Sequence, residues 1–138
     1  QANGSVELYY DNSKKLETTS SGVTVTGTVS DSIGSLRRLG VNSQSGAYTL
    51  VAADAGKAVT QSTNSAAVTV PNSVFTAGDM VTVINNTGTN INLTQGTGVT
   101  MYNTADAATG TRTLAQRGAA TLLFTSASVA YVSGAGLS

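Results

Sequence analysis

The chain has 138 residues with seven basic and seven acidic side chains, and it contains no Cys, no His and no Trp. These absences exclude a Ser-His-Asp triad, a thiol nucleophile, a disulfide and a zinc site built from imidazole or thiolate. The 22 Thr and 15 Val predict an all-β protein, because a branched Cβ restricts χ1 and suits a pleated strand.

The first 30 residues predict a thin set of strands. Residues 6–10 and 14–19 indicate two strands joined by a turn, and the alternation that follows puts Val23, Val25 and Val29 on one face. So few large apolar side chains cannot form a core alone. We therefore expect the three valines to form an oligomer interface, with a trimer as the expected state.

Residues 31–40 predict a short helical connector. Ser30 or Asp31 would cap its start, Gly40 would end it, and Arg37 and Arg38 would lie at its C-terminal end. The chain thus divides into a β shaft over residues 1–30, the connector over 31–40 and a C-terminal knob over 41–138. Because the chain does not begin with Met, we interpret it as part of a longer chain.

The knob shows short strand patterns separated by turn residues. The predicted strands are residues 47–53, 57–61, 66–70, 80–85, 91–94, 99–102, 119–125 and 129–133. Residues 86–89 are expected to close one hairpin and residues 95–98 the next. This spacing predicts an antiparallel β-sandwich or jelly-roll-like knob. The expected packing anchors are Tyr48, Phe75, Tyr102, Leu122, Phe124 and Tyr131.

Charged side chains of the knob offer few site candidates. Asp54, Asp79 and Asp106 all lie in turn contexts, which favours backbone capping over the carboxylate pair of a glycoside hydrolase. Arg112 and Arg117 are candidate surface contacts, because a guanidinium suits an anionic sugar or a partner's carboxylate. The favoured alternative is an inter-subunit or turn-stabilising salt bridge from these arginines, for instance to Asp79 or Asp106.

The tyrosines and the charge distribution complete the set of candidates. Tyr102 is a candidate surface contact. Like Tyr9, Tyr10 and Tyr131, it could stack on a sugar ring, or it could be buried with its hydroxyl in a hydrogen bond. The sequence shows no basic face, so no nucleic-acid partner is predicted. The apolar run over residues 119–132 is interrupted by Thr and Ser, so no membrane insertion is predicted. No cofactor and no metal are predicted.

Short stretches along almost the whole chain resemble structural proteins of tailed phages, notably those infecting marine cyanobacteria. Residues 4–27 resemble a module of tail fibres and other virion proteins, and the later region resembles a C-terminal domain of the same proteins. Its matching stretches are residues 48–57, 68–71, 75–79, 98–102, 114–118 and 133–138. The resemblance implies a non-enzymatic virion component, commonly a homotrimer, with a shaft and a C-terminal knob that contacts the host.

These observations lead to two functional hypotheses. The first is a trimeric fibre or spike on the virion, bound to other virion proteins, whose knob adsorbs to host surface glycan. The alternative is a capsid-attached head fibre, or a decoration or cement protein, with a purely structural role. A polysaccharide-degrading tailspike is disfavoured, because the sequence shows neither a long parallel β-helix pattern nor a credible carboxylate pair.

Overall fold

The computed structural model describes residues 4–32, 35, 36 and 38–138, and it contains two compact units, residues 1–38 and 39–138. Strands hold 55% of the residues and helix 2%, which confirms the expected all-β class.

The N-terminal unit is a three-stranded antiparallel sheet in the order β1-β2-β3. Its strands are β1 (Glu7–Tyr10), β2 (Ser13–Thr19) and β3 (Gly22–Val25). Between β1 and β2, Asp11 and Asn12 both adopt positive φ, at 49° and 55°. Two such residues make the tight turn whose twist matches a hairpin, and Asp and Asn tolerate this conformation.

The two faces of this sheet differ in polarity. Leu8, Leu16 and Val25 lie directly opposite one another across the three strands, and Leu8 remains 57% exposed. On the other face, Lys14 forms ion pairs with Glu7, at 3.0 Å, and with Glu17. A hydrogen bond from the Tyr9 hydroxyl, reinforced by Lys14, lowers the pKa of Glu7 below its usual value.

The predicted valine stripe is only partly a strand feature. Val23 and Val25 lie two residues apart on β3, and Val23 is 62% exposed. Val29 follows the end of β3, is half-buried, and its carbonyl accepts a hydrogen bond from the Leu36 amide at 2.9 Å.

The connector is not helical where the structure describes it. Ser30 pairs with Ser35 in an isolated antiparallel bridge, Leu36 lies in a turn, and strand β4 already begins at Gly40. The Leu36 amide bonds a carbonyl seven residues earlier, whereas a helix would use the carbonyl four residues earlier. Residues 33, 34 and 37 of the predicted connector lie outside the described residues.

The C-terminal unit contains nine strands and one short helix. The strands are β4 (Gly40–Gln44), β5 (Tyr48–Thr49), β6 (Lys57–Gln61), β7 (Val68–Val70), β8 (Met80–Asn85), β9 (Ile91–Gln95), β10 (Thr100–Asn103), β11 (Arg112–Ser126) and β12 (Val129–Leu137), with a 3₁₀ turn at Ala52–Asp54.

The sheet contains parallel as well as antiparallel pairs, so the expectation that all strands of this unit pair antiparallel is wrong. Strands β4, β6 and β8 form one parallel stack, and β5, β7 and β9 form a second. The long strand β11 closes both, because its first part pairs antiparallel with β9 and its later part with β8. Strand β12 pairs antiparallel with β11 and parallel with β10.

A column of amide side chains explains why the chain turns a corner rather than a hairpin after the first-stack strands. Gln44, Gln61 and Asn85 occupy equivalent positions on β4, β6 and β8. The Asn85 amide nitrogen donates to the carbonyls of Thr89, Leu114 and Ala115 at 2.8–3.1 Å. These bonds direct the chain from β8 into the second stack. The hairpins predicted at residues 86–89 and 95–98 are wrong, because β8 does not pair with β9 and β9 does not pair with β10.

The core takes apolar side chains from both stacks and from β10, β11 and β12, and it includes two phenylalanines. The rings of Phe75 and Phe124 stack with centroids 4.2 Å apart. Leu122 is also fully buried, as predicted, and Tyr48 packs against the core while half-buried. Tyr102 and Tyr131 were expected as anchors, but they are absent from this core cluster.

A buried carboxylate organises the start of the two stacks. Asp54, 1% exposed, accepts hydrogen bonds from Asn42 at 2.7 Å, from the Tyr48 hydroxyl at 3.0 Å and from the Val51 amide at 2.9 Å. Burial, followed by the bond to Asp54, raises the pKa of Tyr48 above its usual value. The predicted turn role of Asp54 is confirmed, and its carboxylate also ties β4 to β5.

Candidate functional site

The strongest candidate site is a cavity of about 470 Å³ beside two tyrosines of the C-terminal unit. It is lined by Tyr102, Asn103, Thr104, Ala107 and Tyr131. Tyr102 and Tyr131 lie opposite each other on the parallel pair β10 and β12, and their rings stack with centroids 5.3 Å apart and planes 23° apart. Tyr131 is 41% exposed and Tyr102 is half-buried. The pair therefore offers an aromatic surface to a ligand in the cavity.

A tight loop after β10 forms the rest of the wall. The backbone carbonyl of Asn103 accepts a hydrogen bond from the Ala107 backbone N–H at 2.9 Å. The backbone N–H of Asn103 donates to the Ala108 carbonyl at 2.9 Å. Ala107 adopts a φ of 58°, a conformation that costs a non-glycine residue energy. The Asp106 carboxylate caps the loop by accepting from the Ala108 amide at 2.9 Å. The loop is thus held in place by its own hydrogen bonds.

The polar groups of the cavity are available to a ligand. Among the described residues, the hydroxyls of Tyr102, Tyr131 and Thr104 and the side-chain nitrogen of Asn103 make no hydrogen bond, although Asn103 is 5% exposed. No lining residue carries a charge. Aromatic rings with uncharged donors and acceptors suit a neutral, hydroxyl-rich ligand.

No protein-family model and no curated protein matches this chain.

The described residues contain no group of three or more His, Cys, Asp or Glu side chains that could hold a metal ion. They also contain no helix with the length and apolar character that a membrane crossing requires.

The structure places the two predicted arginines away from the lining of the cavity. Arg117 is exposed at the bulge where β11 bends, with a φ of 60°, and its guanidinium bonds the Asn86 side chain. Arg112 is half-buried at the start of β11. Neither arginine forms the expected salt bridge to Asp79 or Asp106 within the described part of the chain.

The aspartates of the C-terminal unit behave as the sequence predicts. Asp79 accepts hydrogen bonds from the Thr76 amide at 2.8 Å and the Thr76 hydroxyl at 3.2 Å, as a residue that caps its own turn. Asp106 does the same for Ala108. The turn interpretation of all three aspartates is therefore confirmed.

Sequence reasoning missed Asn103, Thr104 and Ala107. A usable signal was present, because an aromatic residue at a strand end is followed at once by Asn and Thr and then by a loop of small residues. The sequence could not show that this loop closes back on Asn103, since that depends on the backbone bonds between residues 103 and 108.

Proposed function

We propose that this protein is a non-enzymatic virion component of a tailed phage, a trimeric fibre or spike whose C-terminal unit adsorbs to host surface glycan. The observation that carries the proposal is the stacked pair Tyr102 and Tyr131 at the wall of the cavity. The resemblance of the sequence to phage structural proteins supports the location on the virion.

The cavity supplies the chemistry that a sugar ring needs. The apolar face of a pyranose packs on an aromatic ring, while its hydroxyls require donors and acceptors around the edge. Tyr131 presents an exposed ring, and the free groups of Asn103 and Thr104 lie in the same wall. Because no charged side chain lines the cavity, the sugar that fits it best is neutral.

The N-terminal sheet supports the trimeric part of the proposal. Its apolar face leaves Val6, Leu8 and Val23 each 57–62% exposed. A small sheet with one uncovered apolar face is marginally stable in water, and packing against copies of itself removes that face from solvent. A closed three-fold arrangement does so without leaving further surface for uncontrolled growth.

Replacing Tyr131 by alanine should weaken glycan binding about fivefold, because a contact with an aromatic ring contributes about 1 kcal/mol. Because Tyr131→Ala removes one of the five tyrosines, the binding measurement should not rely on tyrosine fluorescence. We would titrate wild type and Tyr131→Ala with polysaccharide from the host cell envelope and record the heat of binding by isothermal titration calorimetry.

The matched control is Tyr10→Ala, which removes an exposed tyrosine of the N-terminal sheet and should bind like wild type. Equal binding by wild type and Tyr131→Ala would contradict the role of the cavity. An antibody against residues 39–138 that labels the capsid of intact particles, and not their fibres, would contradict adsorption as the function.

Replacing Val25 by aspartate should abolish the trimer while leaving the C-terminal unit folded. The substitution places a carboxylate beside Leu16 on the apolar face, where burial in an interface would be costly. Light scattering should give the mass of three chains for wild type and of one chain for the variant. Thr26→Asp, at an exposed position just after β3, is the control and should remain trimeric. A single-chain mass for wild type would refute the trimer.

A further inference from the structure

Arg112 lies on the inner side of the second stack. Its partner across the β9–β11 pair is Leu93, which itself lies beside Val68 and, one strand further, Tyr48. Leu93 and Val68 are both fully buried in the core. Side chains at directly opposed positions share one face of a sheet, so this column places a guanidinium at the end of a row of core residues.

The guanidinium has no acceptor in the described part of the chain. Its Nε and Nη2 atoms are sealed from solvent and make no hydrogen bond, and Nη1 makes none either but is not sealed. The Nε and Nη2 hydrogens point the same way along one edge of the planar group. This edge is the fork that binds the two oxygens of a carboxylate side by side.

The carboxylates of the same unit do not neutralise this charge. Asp54, Asp79 and Asp106 are the only acidic side chains in residues 39–138, and each accepts hydrogen bonds from its own turn. None of them forms an ion pair with Arg112 among the described residues. A cation removed from water without an acceptor destabilises the folded state. An anion that accepts hydrogen bonds from the Arg112 guanidinium would therefore stabilise the folded protein.

We infer that Arg112 is a binding site for a carboxylate, supplied by an acidic saccharide, and that this site is separate from the tyrosine cavity. Solvent reaches Nη1, so the anion approaches there, and the side chains over the sealed Nε–Nη2 edge must move before its oxygens can bind along that edge; this movement is part of the inference. A uronic acid combines a pyranose ring with such a carboxylate. The inference does not depend on the proposed neutral-sugar site, because Arg112 does not line that cavity.

The test uses the full chain and the Arg112 Nε–H resonance, observed by NMR in ¹⁵N-labelled protein. Glucuronate should shift this resonance in a saturable way, whereas glucose, its neutral counterpart, should not. The Nε–H of Arg117, which is exposed and already bonded through its guanidinium to Asn86, is the internal control and should not move with glucuronate. Arg112→Lys keeps the charge but loses the fork, so it should weaken glucuronate binding about tenfold.

A second variant tests the unmet charge itself. Arg112→Met removes the cation and keeps an apolar stem in the column with Leu93, so it should raise the melting temperature by roughly a few degrees without added anion. A lower melting temperature for this variant would show that the guanidinium already has a stabilising partner, and would overturn the inference. An unmoved Arg112 resonance, or equal shifts with glucose and glucuronate, would overturn it as well. These outcomes leave the Tyr131 result unaffected, so failure of one site is distinguishable from failure of the other.

Discussion

Gly134→Ala should destabilise the C-terminal unit by about 3 kcal/mol and lower its melting temperature by roughly 10 °C or more. Gly134 lies on β12 directly opposite Ala120 of β11. A Cβ added there would come within 2.1 Å of the Ala119 carbonyl oxygen and 2.5 Å of the Ala120 Cα. Both are backbone atoms of a paired strand, so relief requires the two strands to separate and lose hydrogen bonds.

The comparison for this variant is Gly46→Ala. An added Cβ at Gly46 meets no atom within 4 Å, so this substitution should change stability by less than about 1 kcal/mol. Thermal and urea unfolding of both variants would measure the difference. Similar stability for the two would show that β11 and β12 can accommodate a side chain at this crossing.

Asn85→Asp should also destabilise the C-terminal unit by about 3 kcal/mol at neutral pH. The substitution keeps the shape of a fully buried side chain but replaces the NH₂ group, which donates to three carbonyls, by a carboxylate oxygen. Three carbonyls would lose their donor and face a buried negative charge. Burial raises the pKa of the introduced carboxyl, and the protonated form can still donate one bond. The deficit should therefore shrink as the pH falls towards roughly 4.

The neighbouring residue provides the matched control. Asn86→Asp makes the same chemical change at an exposed position, where the Arg117 guanidinium already bonds the side chain. A carboxylate there gains a charged partner, so the variant should be as stable as wild type within about 0.5 kcal/mol. Equal destabilisation by the two substitutions would mean that the buried amide network does not determine the corner of the stack.

The sequence predicted strands better than it predicted their pairing. The bounds of β6 and β8 agree with the predicted residues 57–61 and 80–85, because each contains Val and Thr and follows a turn that contains Gly. The parallel stacks were missed because a Gly- and Asn-rich turn looks the same whether it closes a hairpin or a corner. The difference lies in the bonds of Asn85 to residues far along the chain, which no local pattern displays. β4 was missed because only one of its five residues, Val41, is a strong strand former.

The candidate sites were predictable as residues but not as arrangements. Tyr102 and Tyr131 were named, yet only the parallel pairing of β10 with β12 brings their rings together. Arg112 was named as a surface contact, but its inward position follows from its pairing with Leu93. The surroundings of each of these residues depend on which distant strands pair, and a single sequence does not show that pairing.

The position of β11 has a consequence for how the protein is made. Both parallel stacks end on this one strand, which is itself held by β12, so neither stack is closed until residues 112–137 are available. On the ribosome, residues 40–95 would emerge first and wait several seconds with unpaired strand edges, at synthesis rates of about 5–20 residues per second. Contacts this distant in sequence also favour slow folding. Production of the protein should therefore benefit from low temperature or a chaperone that shields strand edges during this interval.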